Sequence, residues 1–436
     1  MSIDRLILGI AGLAVRTFYR VSVEGEHVPA TGPVVLVGNH PNGLVDPVLL
    51  STATERSLRF LGKAPLFSMP LVGALVRGAR VLPVHRPQDA SDPGRDNEAT
   101  FEAVHTALGA GDAIALFPEG KSHSEPKVQR MKTGAARMAL GAEAQAEFRL
   151  GVRVVPVGLV YRARRRLGSR AVVWVGAPIE IDDLAAVYAE DAWRAVEVLT
   201  ERITAGLRAL TLELERWEEL PLLEFVADLE AAPLHADFER VRRLARELVV
   251  ARRRWPDEVL ELREQAEEMR ERLTAFGARP RDLAVSYTTL GVFRYVARHT
   301  ARAALVLPLA LLGRCLWFCP WQAVALLVRV ARPTRDVWAT TAVLGGLVLF
   351  PLWILAVAGL VGWYAGAALA LGAAILLIAS GLAALAGRGY ARGLAHDIRA
   401  FRDALTKRDV RAHLAAERDE LVRRIDRIRA RAAAEA

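Results

Sequence analysis

A long uncharged stretch lies near the C-terminal end of this chain and limits the folds that are open to it. Residues 337–386 contain no Asp, Glu, Lys or Arg. A helix that crosses a bilayer needs only about 20 apolar residues, so this stretch has room for two. Trp363 and Tyr364 and several glycines interrupt it near the middle, where a hairpin would turn. We therefore predict two transmembrane helices, at 337–358 and 364–386. The alternative is a buried helix pair in a soluble protein.

The charges beside this stretch predict its orientation. Arginines precede the first predicted span and follow the second, at positions 329, 332, 335, 388 and 392. Because basic flanks stay in the cytoplasm, we expect a multi-pass membrane protein whose remaining domains face the cytoplasm. Only five of the 58 basic residues are lysine, a bias typical of GC-rich bacterial genomes. The expected location is therefore a bacterial inner membrane.

The net charge of +9 raises the possibility of a nucleic-acid partner. The basic residues are, however, interspersed with glutamate along predicted helices, as in residues 239–272. An anionic membrane surface explains the excess more simply, so we expect membrane lipids as partners and no nucleic acid. Cys315 and Cys319 lack nearby His or acidic residues, so no metal site is expected.

The remaining sequence divides into regions that differ in composition and in the pattern of charged and apolar residues. We predict an amphipathic membrane-interface helix at 1–20, a catalytic domain at 21–182 and a helical extension at 183–300. Residues 301–330 are apolar but interrupted by arginine and proline, which favours an interfacial or re-entrant segment, with a third span as the alternative. Residues 390–436 alternate Arg with acidic residues at helical spacing, as a charged C-terminal helix does.

Within the predicted catalytic domain, β-rich runs alternate with helical patterns, which predicts an α/β fold. The predicted strands are residues 34–37, 59–61, 81–84, 113–117, 152–160 and 171–175. The predicted helices between them are residues 45–52, 67–77, 96–108 and 134–140.

The most informative polar segment follows the first of these strands. It reads Gly-Asn-His-Pro-Asn-Gly-Leu-Val-Asp-Pro over residues 38–47. Ligands of open α/β sheets bind at the carboxyl edge of strands, and a His with a nearby carboxylate can act as a general base. His40 and Asp46 are therefore candidate catalytic residues. The alternative is a pair of hydrogen-bonded loop residues without a reaction.

A second polar segment follows a later apolar strand. It reads Phe-Pro-Glu-Gly-Lys-Ser-His over residues 117–123, and Lys132 follows in Lys-Thr-Gly. A glycine beside Glu, Lys and Ser offers backbone donors and a cation to a phosphate group. By itself this segment is weak evidence for a phosphate-binding site.

Together the two segments resemble the glycerolipid acyltransferase family, which pairs an Asn-His…Asp block with a downstream Phe-Pro-Glu-Gly-x-Ser block. Two intermediate regions also match: Gly-Lys-Ala-Pro-Leu-Phe at 62–67, leading to Val-His-Arg at 84–86, and Val-Val-Pro-Val at 154–157. The resemblance covers roughly residues 20–180. It implies a mixed sheet flanked by helices, followed here by the helical extension and the transmembrane hairpin.

The resemblance also implies a role for each site residue. His40 would remove a proton from the acceptor hydroxyl, Asp46 would orient the imidazole, and Lys63 would stabilise the oxyanion. Arg86 would hold the acceptor phosphate. The other expected substrate-binding residues are Asn39, Glu119, Gly120, Lys121, Ser122 and Lys132. No cofactor is implied, because acyl-CoA or acyl carrier protein serves as co-substrate.

The number of residues between His40 and Asp46 narrows the resemblance to one group within the family. Most of the family places four residues between His and Asp, whereas five separate His40 from Asp46. The longer spacer resembles the yeast-type glycerol-3-phosphate and dihydroxyacetone-phosphate acyltransferases, which implies one of those acceptors. One alternative acceptor is 1-acylglycerol 3-phosphate or another lysophospholipid. Two further alternatives are that the longer spacer carries Asp46 out of reach of His40, and that the protein is a non-catalytic membrane scaffold.

Overall fold

A computed structural model describes residues 3–68, 72–84, 93–232, 238–284, 289–406 and 408–434. The chain forms two compact units. The first comprises Met1–Glu213 and Leu327–Gly345, and the second comprises Leu214–Leu326 and Gly346–Ala436. The first unit therefore extends past residue 182, the predicted end of the catalytic domain.

A seven-stranded mixed sheet forms the centre of the first unit, which confirms the predicted fold class. The strands are β1 (Tyr19–Gly25), β2 (Val34–Gly38), β3 (Leu58–Lys63), β4 (Leu82–Val84), β5 (Ala113–Leu116), β6 (Arg153–Tyr161) and β7 (Ser169–Val175). Their order is β1-β7-β6-β2-β5-β3-β4. Only the β6–β7 pair is antiparallel among the pairs in the described residues.

Six of these strands correspond to the predicted ones, and β1 was missed. Arg20 and Glu24 interrupt the apolar character of β1, and the predicted N-terminal helix ran up to its first residue. As an edge strand with one partner, β1 leaves most of its side chains half-buried or exposed. The central strand β2 is buried along its whole length, which explains its continuous apolar sequence.

Helices cover this sheet. They are α1 (Ile3–Phe18), α2 (Val45–Leu50), α3 (Val72–Gly78), α4 (Pro93–Gly109), α5 (Gly134–Gln145), α6 (Leu184–Glu190) and α7 (Ala192–Leu210), with short 3₁₀ turns at Ser51–Ala53 and Ala64–Ser68. Leu199, Ile203 and Leu207 form one buried stripe of α7 and join the core of the sheet. This apolar stripe is the reason that the first unit continues beyond residue 182.

The second unit is helical. It contains a 3₁₀ turn (Trp217–Glu219) followed by α8 (Leu220–Ala231), α9 (Phe238–Arg254), α10 (Pro256–Phe276), α11 (Pro280–Ala284), α12 (Thr289–Leu316), most of α13 (Phe318–Ala331) and of α14 (Trp338–Ala365), α15 (Ala367–Thr406) and α16 (Arg408–Ala434). Leu229, Met269, Leu273 and Leu421 belong to its own hydrophobic core.

Among the described residues, two helical segments are long and apolar enough to cross a membrane, Trp338–Ala365 and Ala367–Gly387. The break between them falls at Gly366, where φ is +87°, and not at residues 359–363 as predicted. Glycine adopts this left-handed conformation without the strain of a side chain. Val306–Leu316 and Phe318–Ala331 meet at a bend of 53°, which fits either one broken span or a re-entrant loop.

Candidate active site

The two polar segments lie at the same edge of the sheet because they follow adjacent parallel strands. Val37 of β2 is level with Leu116 of β5. The loop after β2 carries His40, and the loop after β5 carries Glu119. The backbone N–H of His123 donates to the carbonyl of His40 at 3.1 Å, so the two loops are hydrogen-bonded to each other.

His40 and Asp46 form a direct hydrogen bond. His40 Nδ1 lies 2.8 Å from Asp46 Oδ2, with 18% of the histidine side chain exposed and none of the aspartate. The five-residue spacer therefore does not carry Asp46 out of reach. His40 Nε2 has no hydrogen-bond partner among the residues that the structure describes. This nitrogen is consequently free to accept a proton from a bound hydroxyl.

A tight turn brings Asp46 back to the histidine. The N–H groups of Val45 and Asp46 donate to the carbonyls of Asn42 and Gly43, at 3.1 and 3.3 Å. Gly43 has φ of +49°, a conformation that favours glycine. The turn places Asp46 in the first turn of α2.

The Asp46 carboxylate is held by two further donors. The backbone N–H of Asn42 donates to Oδ2 at 2.6 Å, and the Tyr161 hydroxyl donates to Oδ1 at 2.5 Å. Burial raises the pKa of Tyr161 well above its usual range, with the Asp46 charge adding to the effect. The phenol therefore stays neutral and remains a donor. A buried carboxylate needs such partners, because an unpaired one is costly.

Beyond Asp46, the same network continues to Tyr19 and Arg164. The Asn42 amide donates to the Tyr19 hydroxyl at 3.1 Å, and this hydroxyl donates to the Arg164 carbonyl. The Arg164 guanidinium in turn donates to the carbonyls of Pro41 at 2.7 Å and His123 at 3.2 Å. Burial is the main cause that lowers the pKa of Arg164. Arg164 thus connects both polar loops.

The His40 ring is also fixed by stacking. It lies parallel to the Phe117 ring, with centroids 4.2 Å apart and an angle of 12° between the planes. Phe117 also packs against Gly38, where an added Cβ would lie 3.1 Å from Phe117 Cε1. Glycine at position 38 therefore lets the Phe117 ring approach the backbone that carries the histidine.

Glu119, which is predicted to bind substrate, lies between the two polar loops. Its buried carboxylate accepts from the His40 backbone N–H at 2.9 Å and from the Gln129 N–H at 3.0 Å. It also lies 2.8 Å from His123 Nε2. None of the Glu119 side chain is exposed, and these contacts hold the two loops together. Its role in substrate binding stays a prediction.

Asn39, which is also predicted to bind substrate, is hydrogen-bonded to the neighbouring strand β6. Its side-chain amide donates to the Leu159 carbonyl at 3.0 Å and accepts from the Leu159 N–H at 2.7 Å. The residue is buried. Asn39 therefore fixes the start of the histidine loop, and its role in substrate binding stays a prediction.

Gly120, Lys121, Ser122 and Lys132 do come together, in and beside the loop after β5. Gly120 has φ of +71°, and an added Cβ there would lie 2.8 Å from Lys132 Cε. The Lys132 N–H donates to the Pro118 carbonyl at 2.8 Å. Lys121 and Lys132 are exposed and Ser122 is half-buried, so two cations and a hydroxyl stand at this edge.

Lys63 is farther from the histidine. It ends β3, which is separated from β2 by β5. Two strand spacings amount to about 10 Å between the backbones of β3 and β2. Arg86 lies outside the described residues. The preceding strand β4 ends at Val84, which is level with Lys63.

The segment before the first apolar helix also contacts the site. The Ser122 hydroxyl donates to Asp336 Oδ2 at 2.5 Å, and the Leu44 N–H donates to Thr340 Oγ1 at 3.1 Å. Burial alone would raise the pKa of Asp336, but the hydrogen bonds from Ser122 and Thr334 together with the Arg164 charge lower it. Asp336 is therefore an anion at the edge of the site.

Five residues in this network were not predicted from the sequence: Tyr19, Tyr161, Arg164, Asp336 and Thr340. Of these residues, Tyr161 has the clearest indication of a site role in the sequence. It is a polar residue at the end of the apolar strand β6, much as His40 comes just after the apolar strand β2. Arg164 lies in a cluster of arginines that reads as surface charge. Asp336 and Thr340 are almost 300 residues from the histidine loop, and no local pattern connects them to it.

Comparison with known proteins agrees with this site. Residues 20–160 match the family model described as Acyltransferase. The chain is 36% identical to glycerol-3-phosphate O-acyltransferase 2 of Saccharomyces cerevisiae over 130 residues. This aligned region covers 30% of this chain and 17% of the yeast protein. The chain is also 29% identical to the chloroplastic 1-acyl-sn-glycerol-3-phosphate acyltransferase LPAT1 of Arabidopsis thaliana over 152 residues. This region covers 34% of this chain and 38% of the Arabidopsis protein.

Among solved structures, PlsC of Thermotoga maritima, a 1-acyl-sn-glycerophosphate acyltransferase, matches with a TM-score of 0.33 and 20% identity. The match covers 45% of this chain and 79% of that one. The chain spans less than a fifth of the yeast relatives, at 17% and 18% of their length.

Fold, site and family model together identify an α/β domain of the acyltransferase family at residues 20–160. The relatives to which this domain is similar are named as glycerol-3-phosphate and 1-acyl-sn-glycerol-3-phosphate acyltransferases, which confirms the resemblance predicted from the sequence.

Proposed function

We propose that this protein transfers a fatty acyl group from acyl-CoA or acyl carrier protein to a hydroxyl of glycerol 3-phosphate or dihydroxyacetone phosphate. The observation that supports the proposal most is the hydrogen bond of 2.8 Å between His40 Nδ1 and the buried carboxylate of Asp46. It fixes the imidazole with Nε2 directed away from the carboxylate. A fixed and partly exposed imidazole is what a general base requires.

In the proposed reaction, His40 Nε2 removes the proton of the acceptor hydroxyl. The acceptor oxygen then forms a bond to the thioester carbonyl carbon, and the carbon–sulfur bond of the donor breaks. The thiolate leaves and takes up the proton held by His40. Transfer is direct, so no acyl-enzyme intermediate and no cofactor is needed. General-base catalysis of this kind contributes about 10²–10⁴-fold, and positioning and oxyanion stabilisation supply the rest.

The proposed acceptor site is the edge where Lys121, Ser122 and Lys132 meet. The two ammonium groups suit a phosphate, whereas the Ser122 proton is donated to Asp336, and the left-handed turn at Gly120 makes room for Lys132. Arg86 is the proposed bidentate phosphate ligand. Lys63, at the end of β3, is the proposed stabiliser of the oxyanion.

A second candidate acceptor is 1-acylglycerol 3-phosphate. The LPAT1 relative favours it by name, whereas the two yeast relatives are glycerol-3-phosphate acyltransferases. Both acceptors present a hydroxyl and a phosphate to the same residues. The five-residue spacer between His40 and Asp46 favours glycerol 3-phosphate or dihydroxyacetone phosphate.

The proposed location is a bacterial inner membrane, with Trp338–Ala365 and Ala367–Gly387 as spans and the acyltransferase domain on the cytoplasmic side. The basic residues beside the spans support this orientation. Interfacial placement would bring the site to membrane-dissolved acyl chains and products.

The test is an assay of the full-length protein in lipid vesicles, with acyl-CoA or acyl carrier protein as donor and each of the three phosphorylated acceptors. We expect His40→Ala to abolish transfer while membrane insertion is retained. His27→Ala, at an exposed histidine of the same unit, is the matched control and should remain active. Wild-type turnover in the His40→Ala protein would refute the mechanism and favour a non-catalytic scaffold.

A further inference from the structure

The helical unit contains a cavity of about 570 Å³ between α8, α9, α10 and α16. Its volume is within the range of small-molecule sites, about 300–1,000 Å³. All four helices contribute apolar side chains to its wall, which includes Leu222, Val226, Leu248, Leu262, Ile425 and Ile428. A wall of this composition favours a hydrocarbon chain over a sugar or nucleotide. We call this space the amphiphile cavity.

Charged side chains surround the apolar wall, and most of them are paired. Arg252 binds Glu219 at 3.2 Å, Arg263 binds Glu267 at 3.2 Å and Arg429 binds Glu247 at 2.9 Å. These pairs join neighbouring helices or turns and neutralise one another. They therefore leave little net charge to attract a ligand.

Two arginines of α9 are not matched in this way. Arg243 has no carboxylate partner among the described residues, and Arg246 has only Glu239 at 4.0 Å. Both are exposed, lie one turn apart and line the cavity. One carboxylate of the cavity wall, Glu218, has no arginine partner in the described part of the chain. Arg243 and Arg246 are thus the exposed guanidinium groups at the cavity edge that are open to an anionic headgroup.

From this arrangement we propose that the amphiphile cavity binds a single-chain anionic amphiphile. The acyl chain occupies the apolar wall, and the anionic headgroup is bound by Arg243 and Arg246. A fatty acid and a lysophosphatidate share this chemistry, because each joins one acyl chain to a carboxylate or phosphate. The cavity belongs to the second compact unit and contains none of the residues proposed for transfer.

The test uses the full chain in phosphatidylcholine nanodiscs and a palmitate analogue with a photoactivatable diazirine in its chain. Crosslinked peptides are mapped by mass spectrometry. We expect labelling of α8, α9, α10 and α16 at the cavity wall. Oleate or 1-oleoyl-lysophosphatidate should displace the label, and whichever acts at lower concentration identifies the headgroup. Zwitterionic 1-oleoyl-lysophosphatidylcholine should be at least ~10-fold weaker, since it lacks the charge-assisted contact.

Two kinds of variant test the residues. The double variant Arg243→Gln, Arg246→Gln should weaken labelling about tenfold. Arg253→Gln is the matched control, because Arg253 is exposed on the same helix but does not line the cavity. Ala432→Trp should block labelling by filling the cavity, provided that its circular dichroism and melting match the wild type.

Labelling that is absent from the four helices, equal competition by lysophosphatidylcholine, or equal loss in Arg253→Gln would each overturn the proposal. Since the assay measures binding without transfer, its result is independent of the proposed reaction.

Discussion

The Ser122 hydroxyl donates to the Asp336 carboxylate at 2.5 Å, across 214 residues of sequence. Ser122 lies in the loop after β5, and Asp336 lies just before the first helix that is long enough to span a membrane. Thr340 of that helix accepts from the Leu44 N–H in the histidine loop. The start of the first candidate span is thus hydrogen-bonded to both loops of the site.

We expect Asp336→Asn to loosen the loop that carries Ser122, because a neutral amide accepts a weaker hydrogen bond than a carboxylate. Transfer efficiency with the acceptor should fall about tenfold, which corresponds to 1.4 kcal/mol. Hydrogen exchange of residues 119–124, followed by mass spectrometry, should become faster. Asp182→Asn, at an exposed aspartate of the same unit, should leave both unchanged. An unchanged exchange rate in Asp336→Asn would show that the contact does not order the loop.

Replacing Asp46 by asparagine should lower kcat by about 10²–10⁴-fold, because an amide cannot stabilise the imidazolium that forms when His40 takes a proton. The control is Asp112→Asn, whose aspartate pairs with Arg59 at 2.7 Å just before β5, at the opposite end of the strands. Steady-state kinetics with saturating acceptor measures the effect. A loss smaller than tenfold would argue against an orienting role for Asp46.

Tyr161→Phe removes the donor to Asp46 Oδ1 and should lower kcat about tenfold, the effect of one lost hydrogen bond of about 1.4 kcal/mol. Burial raises the pKa of Tyr161 well above its usual range, so its proton is lost only as pH rises past that value. The pH profile of kcat below that value should therefore have the same shape in both proteins. Tyr188→Phe, whose ring packs on Phe148, is the control. A displaced alkaline limb would mean that Tyr161 itself titrates.

Gly120→Ala places a side chain at φ of +71°, where it also meets Lys132. Gly151→Ala offers a close match, because Gly151 has φ of +72° and open space around it. Both substitutions should lower the melting temperature through the same backbone strain of about 1–2 kcal/mol. Only Gly120→Ala should raise KM for the phosphorylated acceptor. Equal KM values in the two variants would exclude Lys132 from the acceptor site.

Arg86→Ala should raise KM for the phosphorylated acceptor about tenfold or more, since a charge-assisted hydrogen bond to phosphate is lost. KM for the acyl donor should change much less. Arg20→Ala, at an exposed arginine of β1, is the control. Equal effects on both substrates would count against phosphate binding by Arg86.

Sequence patterns predicted the parts of the fold that depend on local composition. A buried parallel strand such as β2 must be apolar throughout, and a helix such as Trp338–Ala365 must lack charges to enter lipid. These requirements can be recognised from the amino-acid sequence alone. The edge strand β1 was missed because half-buried residues leave a weaker pattern.

The pair of His40 and Asp46 was also visible in the sequence, but its geometry was not. Whether a five-residue spacer lets Asp46 reach His40 depends on the turn at Gly43 and on donors from Asn42 and Tyr161. Likewise, the sequence does not show that the Glu119 carboxylate is buried against the His40 N–H.

The class of fold, the apolar helices and the edge of the sheet at which the polar residues collect could all be predicted from the sequence, because each follows from hydrophobic periodicity along the chain. The hydrogen-bond partners of the polar groups became visible only in the folded protein. Asn39 and Glu119 are buried and hydrogen-bonded beside His40, and Tyr161 and Asp336 contact the same loops. The physical reason is that hydrogen bonds act over about 3 Å in space, and chain separation does not restrict them.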